Sequence, residues 1–186
     1  MFVGDFTINS GKIRVTDPCY TRDTWCSGVL ENCKVGDWRA YAIYYDMGMW
    51  GNRIAKLIIV HSSKPSYNFD DNWIKTEFEA GVDSDQCGFF DDSLYPEDVG
   101  EYMDPSSFYS KACELTYNEA QGFTAGVMSF GAVASSGFGD GGYDCFIQKN
   151  ESGEIIAAQI VFIPEEDLSD EPENELEDDE DKDYAW

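Results

Sequence analysis

The sequence predicts an α+β protein of the β-dominated kind, with mostly antiparallel sheets in a sandwich or partly closed barrel and one main helix near 105–117. Short segments alternate apolar and polar residues at period two and are rich in β-branched and aromatic residues, which suit a pleated surface. Residues 125–163 join an apolar run, a glycine-dense turn and two more strand-like segments. That succession is typical of antiparallel hairpins.

Five segments in the first half of the chain have the pattern of strands. Asp17-Pro18 ends the second segment, because proline has no N–H to give to a strand ladder. The fourth contains the continuous apolar run 57–60, which indicates a strand covered on both faces. The predicted strands are 2–8, 12–16, 38–45, 53–61 and 73–79.

The second half of the chain contains the predicted helix. Asp104 is a suitable N-cap and Pro105 suits the first helical position, while Phe108, Ala112 and Leu115 fall on one face. After the helix, the sequence predicts a buried strand over 125–135, an irregular turn over 136–142, and strands over 143–149 and 154–163. For the whole domain it predicts about seven to nine strands.

Negative charge is the most unusual property of this sequence. The chain has 37 acidic and 12 basic residues, a net charge of −25. Thirteen acids and one lysine lie within 165–183, so residues 1–164 still carry 24 acids and 11 bases. We therefore expect a single β-rich domain over 1–164 and a disordered acidic tail over 165–186, because the tail repels itself and buries little.

The charge and hydropathy also limit the classes of partner. Direct binding to nucleic acid needs clustered lysine and arginine, which this sequence lacks. No apolar run is long enough to span a membrane, and the N-terminus has no export signal, so we expect no membrane association and a cytoplasmic protein. The acidic surface favours a basic protein partner.

The cysteines and the single histidine limit catalytic chemistry. The six cysteines have no zinc-ligand spacing and are expected to be free thiols, and His61 is expected to be structural. Cys19 and Cys87 are the candidate nucleophiles, but acidic surroundings raise a thiol pKa and disfavour the reactive thiolate. Whether the protein is an enzyme stays open, and the residues favour a non-catalytic role.

A glycine-rich segment supplies the candidate binding residues. Residues 137–142 match G-x-G-x-x-G, but they precede a strand and not the helix that a dinucleotide site requires. An irregular turn is therefore the favoured interpretation. The acids and aromatics in or near it form a candidate ligand surface: Trp50, Phe138, Asp140, Tyr143 and Asp144.

An aspartate-rich segment predicts a second kind of site. Asp83, Asp85 and Asp91 occupy positions 1, 3 and 9 of a calcium-type loop, with glycine at position 6. Cys87 at position 5 and Leu94 at position 12 depart from that pattern. Calcium or another divalent cation is thus one possible ligand. The alternative is an acidic loop without a cofactor, whose aspartates accept backbone N–H bonds.

Three blocks of sequence resemble a bacterial family. The blocks are 11–18, which ends in Asp-Pro, then 81–91, and then Ser-Gly-Phe-Gly-Asp-Gly-Gly-Tyr at 136–143, the most specific of the three. In this order they resemble the domain-of-unknown-function family 4241 over roughly residues 11–163. The chain departs from that family at Asp85, where glycine is common, and in its acidic tail. The resemblance implies a shared fold but no catalytic residues, because the family has no established activity.

Two functional hypotheses follow. The first is a non-catalytic acidic binding or inhibitory protein that contacts a basic protein partner and could imitate the phosphates of nucleic acid. The second is a divalent-metal-dependent enzyme or metal-binding domain that uses Asp83, Asp85 and Asp91. A thermal-shift screen with divalent cations and EDTA discriminates between them.

The tail is expected to be dispensable for folding. Residues 165–186 lack apolar periodicity, so their deletion should leave the melting temperature within a few degrees or raise it by relieving charge repulsion. Calorimetry of the truncated and full chains measures the difference. A truncated chain without a cooperative transition would contradict this prediction.

Overall fold

The computed structural model describes residues 1–64, 72–118 and 122–168. These residues form thirteen strands, one α-helix, and short 3₁₀ helices at Gly48–Trp50 and Glu165–Leu168. The strands are β1 (Phe2–Ile8), β2 (Ile13–Thr16), β3 (Gly28–Leu30), β4 (Gly36–Asp46), β5 (Asn52–His61), β6 (Ile74–Val82), β7 (Gln86–Asp91), β8 (Tyr117–Asn118), β9 (Gly122–Phe123), β10 (Ala125–Met128), β11 (Gly131–Ser135), β12 (Gly141–Lys149) and β13 (Ile155–Val161), and the helix is α1 (Phe108–Thr116).

Two antiparallel sheets pack face to face, which confirms the β-dominated α+β class and selects the sandwich. Sheet A has the order β1-β4-β5-β13-β12-β6 and sheet B the order β10-β11-β7-β2-β3, and neither closes into a barrel within the described residues. A small β8-β9 hairpin stands beside them. The described strands outnumber the predicted seven to nine because several are only two to four residues long and carry little periodic signal.

The main core lies between the two sheets. Trp38, Ala40 and Ala42 alternate inward from β4 and meet Cys87 and Phe89 from β7. In β5, Leu57 and Ile59 face this core, whereas Ile58 and Val60 pack on the outer side with Trp73 and Tyr41. The apolar run 57–60 is therefore covered on both faces, as its sequence predicts.

Helix α1 covers the outer face of sheet B. Phe108, Ala112 and Leu115 lie on its buried side and pack with Phe90 and Val133, so the predicted helical face is confirmed. None of the helices in the described ranges has the length and apolarity that a membrane span needs.

The start of the helix differs from the prediction. The N-cap is Ser107, whose hydroxyl accepts the Ser110 N–H at 3.0 Å, and not Asp104. Asp104 instead accepts both the N–H and the hydroxyl of Ser106, and Pro105 belongs to this preceding turn. A short aspartate side chain reaches the backbone two residues ahead, which competes with helix capping.

Two strands are arranged differently from the prediction. The expected single strand over 125–135 is a β10–β11 hairpin, in which Phe130 turns the chain and packs on Phe90 and Phe108. Apolar content alone does not distinguish one long strand from a tight hairpin. The segment 86–91, expected to lie within a loop, is the fully buried strand β7 at the centre of sheet B.

The single histidine and three of the six cysteines have buried side chains. His61 is buried and lies edge-on to Trp38. Its Nδ1 accepts the Ser63 N–H at 3.0 Å, so Nε2 carries the proton and donates to the Val35 carbonyl at 3.0 Å. All six cysteines are free thiols. Burial and the nearby Asp17 raise the pKa of Cys19 to about 12, and burial raises that of Cys87, which disfavours either as a thiolate nucleophile.

The C-terminal boundary of the sandwich lies near residue 163. Phe162 and Ile163 are buried, and both donate their N–H groups to the Ala55 carbonyl. Glu165 then pairs with Lys56 at 2.7 Å on the surface, a type of contact that contributes little to stability. The rest of the predicted acidic tail, 169–186, lies outside the described residues.

Asp91 is a buried carboxylate with four donors. It accepts the N–H groups of Asn9 (2.5 Å) and Ser10 (3.0 Å), together with the N–H (2.9 Å) and hydroxyl (2.7 Å) of Ser93. Burial by itself raises its pKa, but these hydrogen bonds outweigh it and hold the pKa of Asp91 below the ordinary 3.8. Its ionised form thus fixes the β1–β2 turn to the end of β7.

Asp91→Asn should destabilise the protein at pH 7 by about 2–3 kcal/mol, because the amide nitrogen meets donors where an acceptor is needed. A depressed native pKa contributes stability above 3.8 that is lost as the pH falls through the native value. The difference in free energy of unfolding between wild type and variant should therefore become smaller below pH 3.8. Urea unfolding followed by tryptophan fluorescence measures this difference. The exposed Asp5→Asn is the control, and a difference that stays constant with pH would contradict the prediction.

Candidate binding site

The glycine-rich segment forms a closed turn at one end of the sandwich. The Ser136 hydroxyl donates to the Gly139 carbonyl at 2.8 Å, and the Tyr143 hydroxyl donates to the same carbonyl at 2.6 Å. Gly137, with φ +66°, packs against the Ile54 carbonyl and the Phe162 and Ile163 side chains, where a Cβ would be both strained and crowded. Tyr143 thus stabilises the turn through its hydroxyl, which is already hydrogen-bonded and is not a free ligand group.

A second turn, 83–85, lies against the first, and Asp17 holds it in place. The buried Asp17 carboxylate accepts the N–H groups of Asp83 (2.9 Å) and Ser84 (2.7 Å) and the Ser84 hydroxyl (2.6 Å). Ser136 N–H in turn donates to the Asp85 carbonyl at 2.9 Å. The second and third blocks of the sequence therefore meet at these two turns.

Asp85 has an unusual backbone and an unusual neighbour. Its φ of +58° lies in the left-handed region that glycine prefers. Although the residue is largely exposed, its carboxylate lies against Gly139 and within hydrogen-bonding reach of Asp140. This partial desolvation and the Asp140 charge raise the pKa of Asp85.

An open groove of about 930 Å³ lies beside these turns. Its walls are the loop 20–26, the edge strand β6 and the start of β12. We call it the acidic groove, because acids and aromatic rings dominate the side chains that line it: Tyr20, Trp25, Phe78, Glu77, Glu79, Asp83 and Asp140, with Lys75 at one end. The Trp25 side chain is 93% exposed.

Electrostatics keeps the groove acidic despite Lys75. The Lys75 ammonium pairs with the Asp144 carboxylate at 2.7 Å, which together with Glu79 raises the pKa of Lys75. Burial and a hydrogen bond to Asp83 raise the pKa of Tyr20, so its phenol stays protonated. The lysine in the groove lining is thus already paired with Asp144, whereas Glu77, Glu79 and Asp140 add acidic groups to that lining.

The predicted binding residues are only partly brought together. Asp140 lines the acidic groove, and Asp144 reaches its end through Lys75. Trp50 and Phe138 form an edge-on pair, 6.4 Å between ring centroids, and neither is among the described residues that line this groove. Tyr143 holds the turn from inside.

The predicted cation ligands are separated. Asp91 points to Asn9, Ser10 and Ser93, whereas Asp83 contacts Tyr20 and Asp85 contacts Asp140. The described part of the chain contains no group of three His, Cys, Asp or Glu side chains placed to hold a metal ion. Calcium or another divalent cation as a ligand stays a prediction.

Tyr20, Glu77 and Glu79 line the groove but are not among the candidate binding residues predicted from the sequence, whereas Trp25 is one of the aromatic residues that the sequence offers for a ligand groove. The Trp25 loop is held at its start by the Cys19 N–H bond to Asp17 and at its end by the Cys26 carbonyl. Glu77 and Glu79 did carry a signal, since their alternation with Thr76 and Phe78 marks an exposed face of β6. Their place in the groove depends in addition on the position of β6 at a sheet edge beside the 20–26 loop, which is a tertiary property.

The chain matches no protein-family model, no curated protein and no solved structure. The resemblance to the domain-of-unknown-function family 4241 therefore stays a prediction. The left-handed backbone at Asp85 gives a physical reason why glycine would be accepted at that position.

Asp85→Gly should stabilise the protein at pH 7 by roughly 0.5–1 kcal/mol, because glycine adopts the positive φ without strain. Because the native pKa of Asp85 is raised above 3.8, the free energy of unfolding falls as the pH rises from 3.8 through the native value. Removing the Asp85 charge should therefore also stabilise the protein at pH 7. Asp85→Asn separates the backbone effect from the charge effect, because it removes the charge and leaves a non-glycine residue at the positive φ. Its gain in free energy of unfolding should vanish below pH 3.8, where Asp85 is protonated in both states. Destabilisation by both variants in urea unfolding would contradict this account.

Proposed function

We propose that the protein is a non-catalytic binding or inhibitory protein that takes a basic protein partner in its acidic groove. The observation that carries the proposal is the meeting of four carboxylates with an almost fully exposed tryptophan in one groove. Carboxylates attract lysine and arginine, and a tryptophan face adds a cation–π contact worth about 0.5–2 kcal/mol. Exposed tryptophans are also common binding hot spots.

The edge position of β6 supports a protein partner of extended conformation. β6 pairs with β12 on one side and is the last strand of sheet A on the other. The Gly81 N–H donates to the Cys26 carbonyl at 2.9 Å, and among the described residues this backbone contact covers one end of that edge. An extended basic segment could therefore align along β6 and place alternate side chains on Glu77 and Glu79.

The whole-chain charge supports fast association with such a partner. A net charge of −25 steers basic molecules toward the protein, and salt screens the field beyond about 8–10 Å. A surface of this charge could also compete with nucleic acid for a nucleic-acid-binding partner. The second hypothesis, a divalent-metal-dependent enzyme on Asp83, Asp85 and Asp91, stays a prediction for the cation and EDTA screen.

Binding of a fluorescent lysine- and arginine-rich peptide tests the groove directly. Trp25→Ala and the double variant Glu77→Gln/Glu79→Gln should each weaken the affinity at least about fivefold, which corresponds to about 1 kcal/mol. The on-rate should also fall steeply between 20 and 150 mM salt, concentrations chosen to span strong and weak screening.

Matched controls make the outcome specific to the groove. Asp5→Asn/Asp46→Asn removes the same charge from exposed positions on β1, the edge strand opposite β6, and on the neighbouring β4. Trp50→Ala removes a comparable aromatic outside the groove. Equal losses in the two charge variants, or a salt-independent on-rate, would refute the groove. A loss with Trp50→Ala but not with Trp25→Ala would move the site to the Trp50–Phe138 pair.

A further inference from the structure

A small depression lies beside the glycine-rich turn, where residues 136–139 line it. Asp140, the next residue of the turn, lines the acidic groove. The depression has a volume of about 140 Å³ and shares Asp85, Phe123 and Ser135 with a neighbouring cavity of about 580 Å³. Arg53 at the start of β5, Asp85, Phe123 of β9 and Ser135 at the end of β11 line the depression, with the backbone of 136–139. Its chemistry differs from the acidic groove because it contains an arginine.

Ser135 supplies the first sign of a ligand. The residue is only 2% exposed, and its hydroxyl has no hydrogen-bond partner among the described residues. Its cross-strand neighbour Gln86 is already engaged, because it donates to Cys113 Sγ and accepts from the Thr116 hydroxyl. A buried hydroxyl without a partner is costly, so a ligand atom that accepts from it would stabilise the site.

Arg53 supplies the second sign. Its Nε is buried without a hydrogen-bond partner in the described part of the chain, and its guanidinium lies 4.3 Å above the Phe123 ring centroid. No carboxylate among the described residues forms an ion pair with it, although the chain has 37 acids. Arg53 and Ser135, which both line the depression, thus each carry a buried donor without a partner, and such donors suit an anionic oxygen.

Asp85 limits which anion fits. Its carboxylate lines the same depression and would repel inorganic phosphate, whereas an ammonium group would be attracted to it. A ligand with both charges satisfies all three side chains. We propose that this depression binds a small amino carboxylate, whose carboxylate accepts from Arg53 and Ser135 and whose ammonium donates to Asp85.

Thermal shift and isothermal titration calorimetry with the full chain test this proposal. The probes are glycine, alanine, β-alanine and γ-aminobutyrate, with acetate, methylammonium and inorganic phosphate as single-charge or purely anionic comparisons. At least one amino carboxylate should raise the melting temperature in a dose-dependent way, as selective binding to the native state requires. The comparison probes should give no shift at equal concentration.

Variants then assign the three side chains. Ser135→Ala, Arg53→Gln and Asp85→Asn should each weaken the affinity about tenfold or more, the expected loss of one charge-assisted hydrogen bond. Ser135→Ala removes a single oxygen, so it keeps the test valid if Arg53→Gln fails to fold. Arg39→Gln is the matched control, since Arg39 also has a buried unpartnered Nε but lies on β4 away from the depression.

The same variants separate this site from the acidic groove. Trp25→Ala should leave amino-carboxylate binding unchanged, because Trp25 lines the groove and not the depression. The proposal is overturned if no amino carboxylate binds, or if Ser135→Ala and Arg53→Gln both bind as wild type. Equal shifts from acetate and amino carboxylates would overturn the role of Asp85.

Discussion

The arrangement of the end of the sandwich that carries the acidic groove and the small depression depends on one buried carboxylate, that of Asp17. Taking an ionised carboxylate out of water is very costly unless donors replace the lost hydration. Asp17 has four such donors, from Cys19, Asp83 and Ser84, and is completely buried. It therefore joins the turn after β2 to the turn between β6 and β7, which are more than sixty residues apart in sequence.

The two neighbouring surface sites follow from that connection. On the N-terminal side, Asp17 fixes the start of the 20–26 loop that presents Tyr20 and Trp25 to β6. On the other side, it fixes the 83–85 turn, whose Asp85 meets the glycine-rich turn. Asp83 and Asp140 then face the acidic groove, while Asp85 faces the small depression. One buried acid thus places several exposed ones.

The sequence predicted those features that depend on local periodicity. The strand pattern, the covered run 57–60 and the helical face of Phe108, Ala112 and Leu115 need only the spacing of apolar residues along the chain. The hairpin at Phe130 and the N-cap at Ser107 depend instead on contacts that local periodicity does not encode. Phe130 packs on Phe90, and Ser107 caps the helix because Asp104 is occupied by Ser106. The two surface sites were harder still to predict, because each is built from segments that lie far apart in the sequence. The acidic groove combines the 20–26 loop with β6 and β12, and the depression combines Arg53, Asp85 and Ser135.

Net charge alone therefore describes this protein poorly, because its acids act in different ways. Asp17 and Asp91 are buried and hydrogen-bonded, so their carboxylates join segments of the fold and cannot contact a partner directly. Glu77 and Glu79 are exposed and act over a screening distance of about 8–10 Å. Asp85 lies between these cases, since the neighbouring Asp140 makes its charge unfavourable to the fold and its left-handed φ strains a residue other than glycine. An acid whose charge and backbone are both unfavourable to folding thus lies beside an arginine that no described acid neutralises, and the proposed amino-carboxylate site uses both groups.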